Sequence, residues 1–406
     1  MKIYLFDTLT IHTSLLPLSF TRPVADFRCG ILTIIEKWQI RLGNPLNCEC
    51  RFLPIDYLQE KYGSVDSPDA INIYIAGNIL PDDKIVGLIS KLNDGEALIH
   101  NNECIAFRGS LENLKKENFI ASKEIEDVDS LHYVFDIFLQ NGNQISRDFS
   151  LLTFGRKSRK LPECVRMLSC GEDPAEQEEQ RDIFIEEGAV VECVAINTTS
   201  GPVYIGKDAV LMEGACIRGP FAVCEGGEVR MGSKIYEGTT IGPHCKVGGE
   251  VSNTVFFGYS NKAHDGYLGN AVIGEWCNIG AGTNASNLKN DYSLIRVWNY
   301  ATGSFMKTDL QFCGLIMGDH SKIGVNCMIN TATVIGVGVN LHGAGFPRTF
   351  VPCFSEGSPT SGFSHISLKK FLETATRVMS RRSHTLSEAD QSLLTHIYDT
   401  SSSPSA

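Results

Sequence analysis

Residues 205–247 read IGKDAV-LMEGAC-IRGPFA-VCEGGE-VRMGSK-IYEGTT-IGPHCK-V, with an aliphatic residue at every sixth position: Ile205, Leu211, Ile217, Val223, Val229, Ile235, Ile241 and Val247. Four residues after each stands a small one, Ala209, Ala215, Gly227, Ser233, Thr239, Cys245 or Val251, with Phe221 as the exception. The period returns at Ile273 and Ile279, and again at Met317, Ile323, Ile329, Ile335 and Leu341, often with Gly in the next position, as at Gly206, Gly242, Gly274, Gly318 and Gly336. A period of six matches neither the helical repeat nor a simple two-faced strand. It matches a triangular β-solenoid in which each face takes six residues, one aliphatic points into the prism, and Gly or a small residue serves the corner. An amphipathic sheet would also alternate, but it would not hold this period without a miss.

The rest of the composition sets bounds on partners and compartment. With 406 residues, of which 43% are hydrophobic and 20% charged, the chain has room for two domains with cores of their own. A formal net charge of −11 argues against nonspecific nucleic-acid binding, which needs clustered Lys and Arg, and leaves small anionic substrates open. No apolar run reaches membrane-spanning length, so no membrane partner is expected. The fourteen cysteines come without a signal-peptide pattern or metal-ligand spacing, and several fall at repeat positions (Cys245, Cys277, Cys327). They read as reduced core residues of a cytoplasmic protein.

Charge and hydropathy divide the chain into four segments. Residues 1–155 alternate strand-like pieces (3–6, 71–75, 97–99) with helix-like ones (31–42, 83–92, 130–141), the pattern of an α/β domain. Residues 156–182 open on Arg156-Lys157-Ser158-Arg159-Lys160 and close with an acidic run at 176–180, which reads as a linker. Residues 183–345 hold the solenoid, interrupted once between Thr283 and about Leu315; an excursion of that length is usually functional. Residues 346–406 form an extension with two short helices, the second preceded by Thr385 and Glu388 at capping-box spacing.

Chemistry concentrates where the period breaks, in Ser260-Asn261-Lys262-Ala263-His264-Asp265-Gly266-Tyr267-Leu268-Gly269-Asn270 and then Asn278-Ile279-Gly280-Ala281-Gly282-Thr283. Acyl transfer from a thioester to an amine needs a base for the amine proton, and neutral imidazole is suited to the task near pH 7. His264 is the candidate; a lone His on a solenoid is otherwise a solvated surface residue. His244 and His320 fall at coil turns and read as structural.

The six-residue period resembles the left-handed parallel β-helix of hexapeptide acyltransferases. The stretch around His264 resembles, more narrowly, the acetyltransferase half of bifunctional UDP-N-acetylglucosamine pyrophosphorylase/glucosamine-1-phosphate N-acetyltransferase. Asn287-Leu288-Lys289 and Gly314-Leu315-Ile316-Met317-Gly318-Asp319 make it most similar to the archaeal and Bacteroidetes variants. The resemblance implies that Tyr267, Asn278 and Asn287 line an amino-sugar pocket and that acetyl-CoA is the co-substrate. It also implies a homotrimer with the acyl donor between neighbouring solenoids, and Phe256, Phe257 and Trp276 read as the apolar outer surface such an assembly would hide. Lys289 and Lys307, in the excursion, are candidates for phosphate contacts as point charges, with plain solvation as the alternative. The common bacterial enzyme carries two Lys about a dozen residues before its His; Ser252 and Asn253 stand there in this chain, so the sugar phosphate must be held differently.

In the N-terminal segment, Leu16-Pro17-Leu18-Ser19-Phe20-Thr21-Arg22-Pro23, continuing through Arg28, Gly30, Thr33 and Glu36-Lys37-Trp38, resembles the start of the nucleotidyltransferase half of the Bacteroidetes-type enzyme. The usual Gly-rich signature is absent. Nucleotidyl transfer gathers cations around the attacked phosphate, and Arg22, Arg28 and Lys37 are the candidates for binding a nucleoside triphosphate. A Mg²⁺ site is expected after a strand, at Asn78 and Asp82.

These readings combine into an α/β nucleotidyltransferase-like domain joined to a left-handed parallel β-helix with a short helical tail. The expected activity is acetyl transfer to an amino-sugar 1-phosphate together with nucleotidyl transfer to give UDP-N-acetylglucosamine, with a sugar 1-phosphate and a nucleoside triphosphate as partners. Two rivals are a monofunctional sugar-1-phosphate nucleotidyltransferase, for example on glucose 1-phosphate with dTTP, whose solenoid only oligomerises, and a nonenzymatic solenoid scaffold.

Overall fold

The computed structural model describes residues 1–168 and 182–401. The chain divides into two compact units, one made of Met1–Phe27, Leu32–Tyr133 and Glu388–His396, the other of Arg28–Ile31, Val134–Ser387 and Ile397–Ala406.

The first unit is built on a six-stranded mixed sheet in the order Cys50–Leu53, Ile3–Phe6, Asn72–Ala76, Glu103–Gly109, Glu96–His100, Ala121–Glu124. The first three strands run parallel, and Glu103–Gly109 is antiparallel to both its neighbours. Ile3–Phe6 and Asn72–Ala76 read as unbroken buried runs because a central parallel strand is covered on both faces. A capping box between Thr33 and Glu36 starts the helix Ile34–Trp38. Trp38, wholly buried, donates its indole N–H to the carbonyl of Ile79 at 2.9 Å.

The second unit is a three-sided parallel β-helix, the left-handed hexapeptide fold expected from the period. Val210 pairs with Glu228, which pairs with Lys246, and Ile217 pairs with Ile235, so each coil advances by three hexads. Ile205, Leu211, Ile217, Val223, Val229, Ile235, Ile241 and Val247 stack in one core, none more than 1% exposed. Phe221, the exception to the small-residue rule, is in that core too.

The structure redraws the edges of the segments. The helix expected at 130–141 is Asp136–Thr153, and it belongs to the solenoid unit. Its Asn141 donates to the carbonyl of Gly238 at 2.7 Å and to Thr240 Oγ1 at 3.0 Å, contacts between elements far apart in sequence that no local pattern reveals. Part of the expected linker is structure as well: Arg166–Leu168 pairs in parallel with Ala195–Asn197, while the acidic run at 176–180 lies outside the described residues. At the other end the solenoid continues past residue 345, since Val351 pairs with Ile335 and Gly357 with Leu341. Helices Leu368–Ser380 and Glu388–Ser401 follow.

Phe256, Phe257 and Trp276 were expected on the outer faces and are buried instead, at 0%, 3% and 7% exposure. Phe256 joins the stacked core and pairs with Ile241, in a coil shorter than the three hexads of the coils before it. Trp276 sits at a corner of positive φ, stacked on Tyr259 at 4.3 Å between ring centroids and in line with His320; His244 stacks on the other side of Tyr259. His244 and His320 are thus rungs of an aromatic ladder, the structural role read for them from sequence. None of the described cysteines is in a disulfide, and Cys245, Cys277 and Cys327 are core residues.

Candidate functional sites

Two places gather chemically capable groups, one in each unit.

In the first unit, a cleft of about 690 Å³ opens at the C-terminal ends of the parallel strands Ile3–Phe6, Cys50–Leu53 and Asn72–Ala76, the edge at which open α/β sheets bind ligands. Its polar lining includes Asp7, Thr8, Asn78, Asn101, Lys115 and His132. Asp7 follows directly on the strand Ile3–Phe6; its Oδ2 accepts from the Val24 N–H at 3.0 Å, while its Oδ1 is buried with no hydrogen-bond partner. Asn78 donates its amide to the Leu131 carbonyl at 3.1 Å, and its Oδ1 is likewise buried and unpartnered. Two buried acceptors without donors, both lining one cleft, are costly unless a ligand supplies what the protein withholds.

Burial pushes the Asp7 carboxyl from its ordinary 3.8 up to about 7, with the Val24 hydrogen bond pulling it part of the way back. The folded chain therefore keeps this proton over a range in which the unfolded chain has released it. The stability linked to Asp7 is present in full below pH 3.8 and declines as pH rises from there to about 7. Replacing Asp7 with Asn removes the decline. The first thermal transition of the variant is expected to exceed that of the parent at pH 8 by at least about 3 °C, with the gap closing towards pH 4. Melting curves that differ equally at both pH values would show that the carboxylate is not desolvated.

The sequence-derived site residues of this unit fare unevenly. Asn78, the candidate for Mg²⁺, lines the cleft. Asp82 does not: its carboxylate caps the helix Asp83–Ile89, accepting from the Ile85 N–H at 2.7 Å, which is the ordinary use of an Asp just before a helix. Among the described residues no cluster of three or more His, Cys, Asp or Glu is arranged to hold a metal. Arg22 and Lys37 are buried, at 4% and 1% exposure, and neither lines this cleft; Arg22 is paired with Asp26 at 3.5 Å. Arg28 belongs to the solenoid unit, where its guanidinium donates to the carbonyls of Phe257 and Ile31. Arg28 therefore falls in a different unit from Arg22 and Lys37, since the chain passes from the first unit to the second between Phe27 and Leu32. Asp7 was missed, although the rule used for Asn78, a carboxylate just after a strand, picks it out when applied to the first strand.

In the solenoid, His264 stands exposed on the corner between strands Asn261–Lys262 and Tyr267–Ile273. Just beyond the corner, Asn287 donates one amide to both the Tyr267 hydroxyl, at 2.9 Å, and Asn270 Oδ1, at 2.7 Å. The Tyr267 N–H donates to Asn284 Oδ1 at 2.9 Å. Tyr267 and Asn287 thus do meet, across adjacent coils. Burial raises the Tyr267 phenol above its ordinary value, with the Asn287 hydrogen bond acting the other way. Asn278 is exposed on the preceding face, in register with Asn261 and Lys322. Lys289 donates to the Leu294 carbonyl at 2.8 Å within the excursion, and Lys307 is exposed at the end of a hairpin, opposite Arg296.

Comparison with known proteins gives partial likenesses. Residues 3–157 match the family model described as sugar nucleotidyl transferase. The N-terminal match is to a transferase family. Two curated relatives are each described as bifunctional protein GlmU. The one from Methanococcus aeolicus is 28% identical over 117 residues, 25% of this chain, and the one from Gloeobacter violaceus is 29% identical over 123 residues, 30% of this chain. The chain spans only 28% and 23% of these relatives' own lengths. Among solved structures, a hexapeptide transferase family protein from Anaplasma phagocytophilum aligns over 50% of this chain and 89% of its own, at 14% identity and a TM-score of 0.26. UDP-N-acetylglucosamine O-acyltransferase from Moraxella catarrhalis aligns over 55% and 96%, at 14% identity and a TM-score of 0.24. Among the described residues, no helix is long and apolar enough to cross a membrane.

Proposed function

We propose that this chain is a two-site transferase of sugar-nucleotide synthesis. In the solenoid an acetyl group passes from acetyl-CoA to the amine of an amino-sugar 1-phosphate; in the α/β unit a sugar 1-phosphate is joined to the nucleotidyl group of a nucleoside triphosphate, with UDP-N-acetylglucosamine as the product. The observation that carries the reading is the family match over residues 3–157, on the stretch that forms the cleft with the unpartnered Asp7 and Asn78 oxygens. The acetyl half is supported by the corner carrying His264 beside the joined Tyr267 and Asn287.

In the acetyl step the amine nitrogen attacks the thioester carbonyl, His264 takes the amine proton, and the carbon–sulfur bond breaks with CoA leaving as thiolate. Tyr267, Asn287 and Asn278 orient the sugar through hydrogen bonds, and Lys289 and Lys307 offer charge to phosphates. In the nucleotidyl step an oxygen of the sugar phosphate attacks the α-phosphorus and pyrophosphate leaves. Asp7 Oδ1 and Asn78 Oδ1, both buried and unpartnered, are the oxygens that would hold Mg²⁺, which takes one or two protein oxygens and completes its shell with water and phosphate. When bound there, Mg²⁺ would neutralise charge on the phosphates. Arg22 and Lys37 remain in this proposal as cations of the same unit; Arg28, spent on carbonyls of the solenoid unit, does not. A homotrimer and a cytoplasmic location belong to the same reading.

The test uses the full chain with acetyl-CoA, glucosamine 1-phosphate, UTP and Mg²⁺, following free thiol and pyrophosphate separately. Release of both is expected. Pyrophosphate alone would leave the monofunctional nucleotidyltransferase, and neither would leave the scaffold. Asp7→Asn should lower pyrophosphate release by about 10²-fold while thiol release stays at the parent rate, so the variant that gains stability at pH 8 loses activity.

A further inference from the structure

Inside the prism, one residue contradicts the hexad rule. Lys262 pairs with Val247 of the preceding coil, and its neighbour Asn261 pairs with Asn278, which sets Lys262 level with Ile279 of the next coil. Val247 and Ile279 are both core residues, so Lys262 occupies an aliphatic position. It is 2% exposed, among the largest fully buried side chains of the molecule. Its ammonium is held by two corner carbonyls, donating to Gly248 O at 3.0 Å and to His264 O at 2.9 Å.

Removing an ammonium from water costs several kcal/mol, and two carbonyl acceptors return only part of it. Burial accordingly lowers this amine from 10.5 to about 8. An aliphatic residue at the same place would add stability, as Val247 and Ile279 do in the flanking coils. What the lysine supplies instead is a tether. The corner it holds runs from His264 to Gly266, whose φ of +120° is open to glycine but strained for other residues. The other acceptor lies at the equivalent corner one coil earlier, and there Gly249 leaves room for the amine: a Cβ on it would come within 2.9 Å of the Lys262 nitrogen. The ammonium thus ties the backbone of the His264 corner to the coil beneath it.

We propose that Lys262 is a positioning residue for acetyl transfer, its buried ammonium fixing the His264 carbonyl and with it the place at which the imidazole meets the amine. This rests on the reading of His264 as the base.

The experiment compares Lys262→Met, Lys262→Ile and His264→Ala with the parent in the full chain, measuring thiol release from acetyl-CoA with glucosamine 1-phosphate, and thermal midpoints. Methionine keeps the length of the side chain without its donors, and isoleucine restores the residue that the next coil carries. Both variants are expected to melt no lower than the parent, with kcat down at least about tenfold and KM for acetyl-CoA within about twofold. Parent kcat in either folded variant overturns the proposal. So does failure of the isoleucine variant to fold, or a loss of kcat that merely follows a lowered midpoint, because the lysine would then serve the solenoid alone. If His264→Ala retains parent activity, the underlying reading falls and this inference falls with it. If His264→Ala is inactive while the Lys262 variants are not, only the inference falls.

Discussion

Replacing Ile235 with Asp is expected to unfold the solenoid, with a loss exceeding about 4 kcal/mol. Ile235 is 1% exposed and pairs with Ile217 on one side and Val251 on the other, both in the same stacked core. A carboxylate at that point would have aliphatic residues above and below, with no cation at either paired position. Its options are to stay charged and unpaired or to take up a proton, and both are expensive. A solenoid is also stabilised mainly by contacts between neighbouring coils, so a defect in a central coil separates the two ends of the stack and cannot be absorbed at a terminus. Ile235→Val serves as the control, at a cost of about 1 kcal/mol. The measurement is the circular dichroism melt of both variants beside the parent. An aspartate variant with its full β signal and a midpoint within a few degrees of the parent would mean that this side chain faces water.

His264→Ala is expected to slow acetyl transfer about 10²- to 10⁴-fold, the range associated with a general base, and to leave pyrophosphate release at the parent rate. The imidazole is exposed on a corner, so its removal should change stability by no more than about 0.5 kcal/mol, and the loss of rate would be chemical. Thiol and pyrophosphate release from the same preparation separate the two outcomes. Thiol release at the parent rate would make His264 a surface residue, and the scaffold reading would gain.

The sequence was sufficient for whatever depends on near neighbours repeated in order. A period of six with small corner residues defines one interior side chain per face, and the buried stack from Ile205 to Val247 follows from counting. The strand-like pieces at 3–6 and 71–75 likewise foreshadowed the strands Ile3–Phe6 and Asn72–Ala76, though not that both are buried. Counting failed where the period slips. Val247 is followed in register by Lys262 and Val251 by Leu268, spacings that are not multiples of six. Past the slip, only the pairing of coils shows that Phe256 and Trp276 are buried and that a lysine occupies an aliphatic site. Site chemistry was legible to the same extent. Tyr267 and Asn287 meet because their coils stack, and the motif contained both. Whether a polar group is free or already engaged is a property of its surroundings in space. Asp82 is taken by the helix it caps, Arg28 by carbonyls of the solenoid unit, and Asp7 has an oxygen to spare because nothing in its surroundings reaches it. Side-chain hydrogen bonds between residues distant in sequence are not set by local propensity or period, so only the tertiary structure decided which of the candidate groups remain available for a ligand.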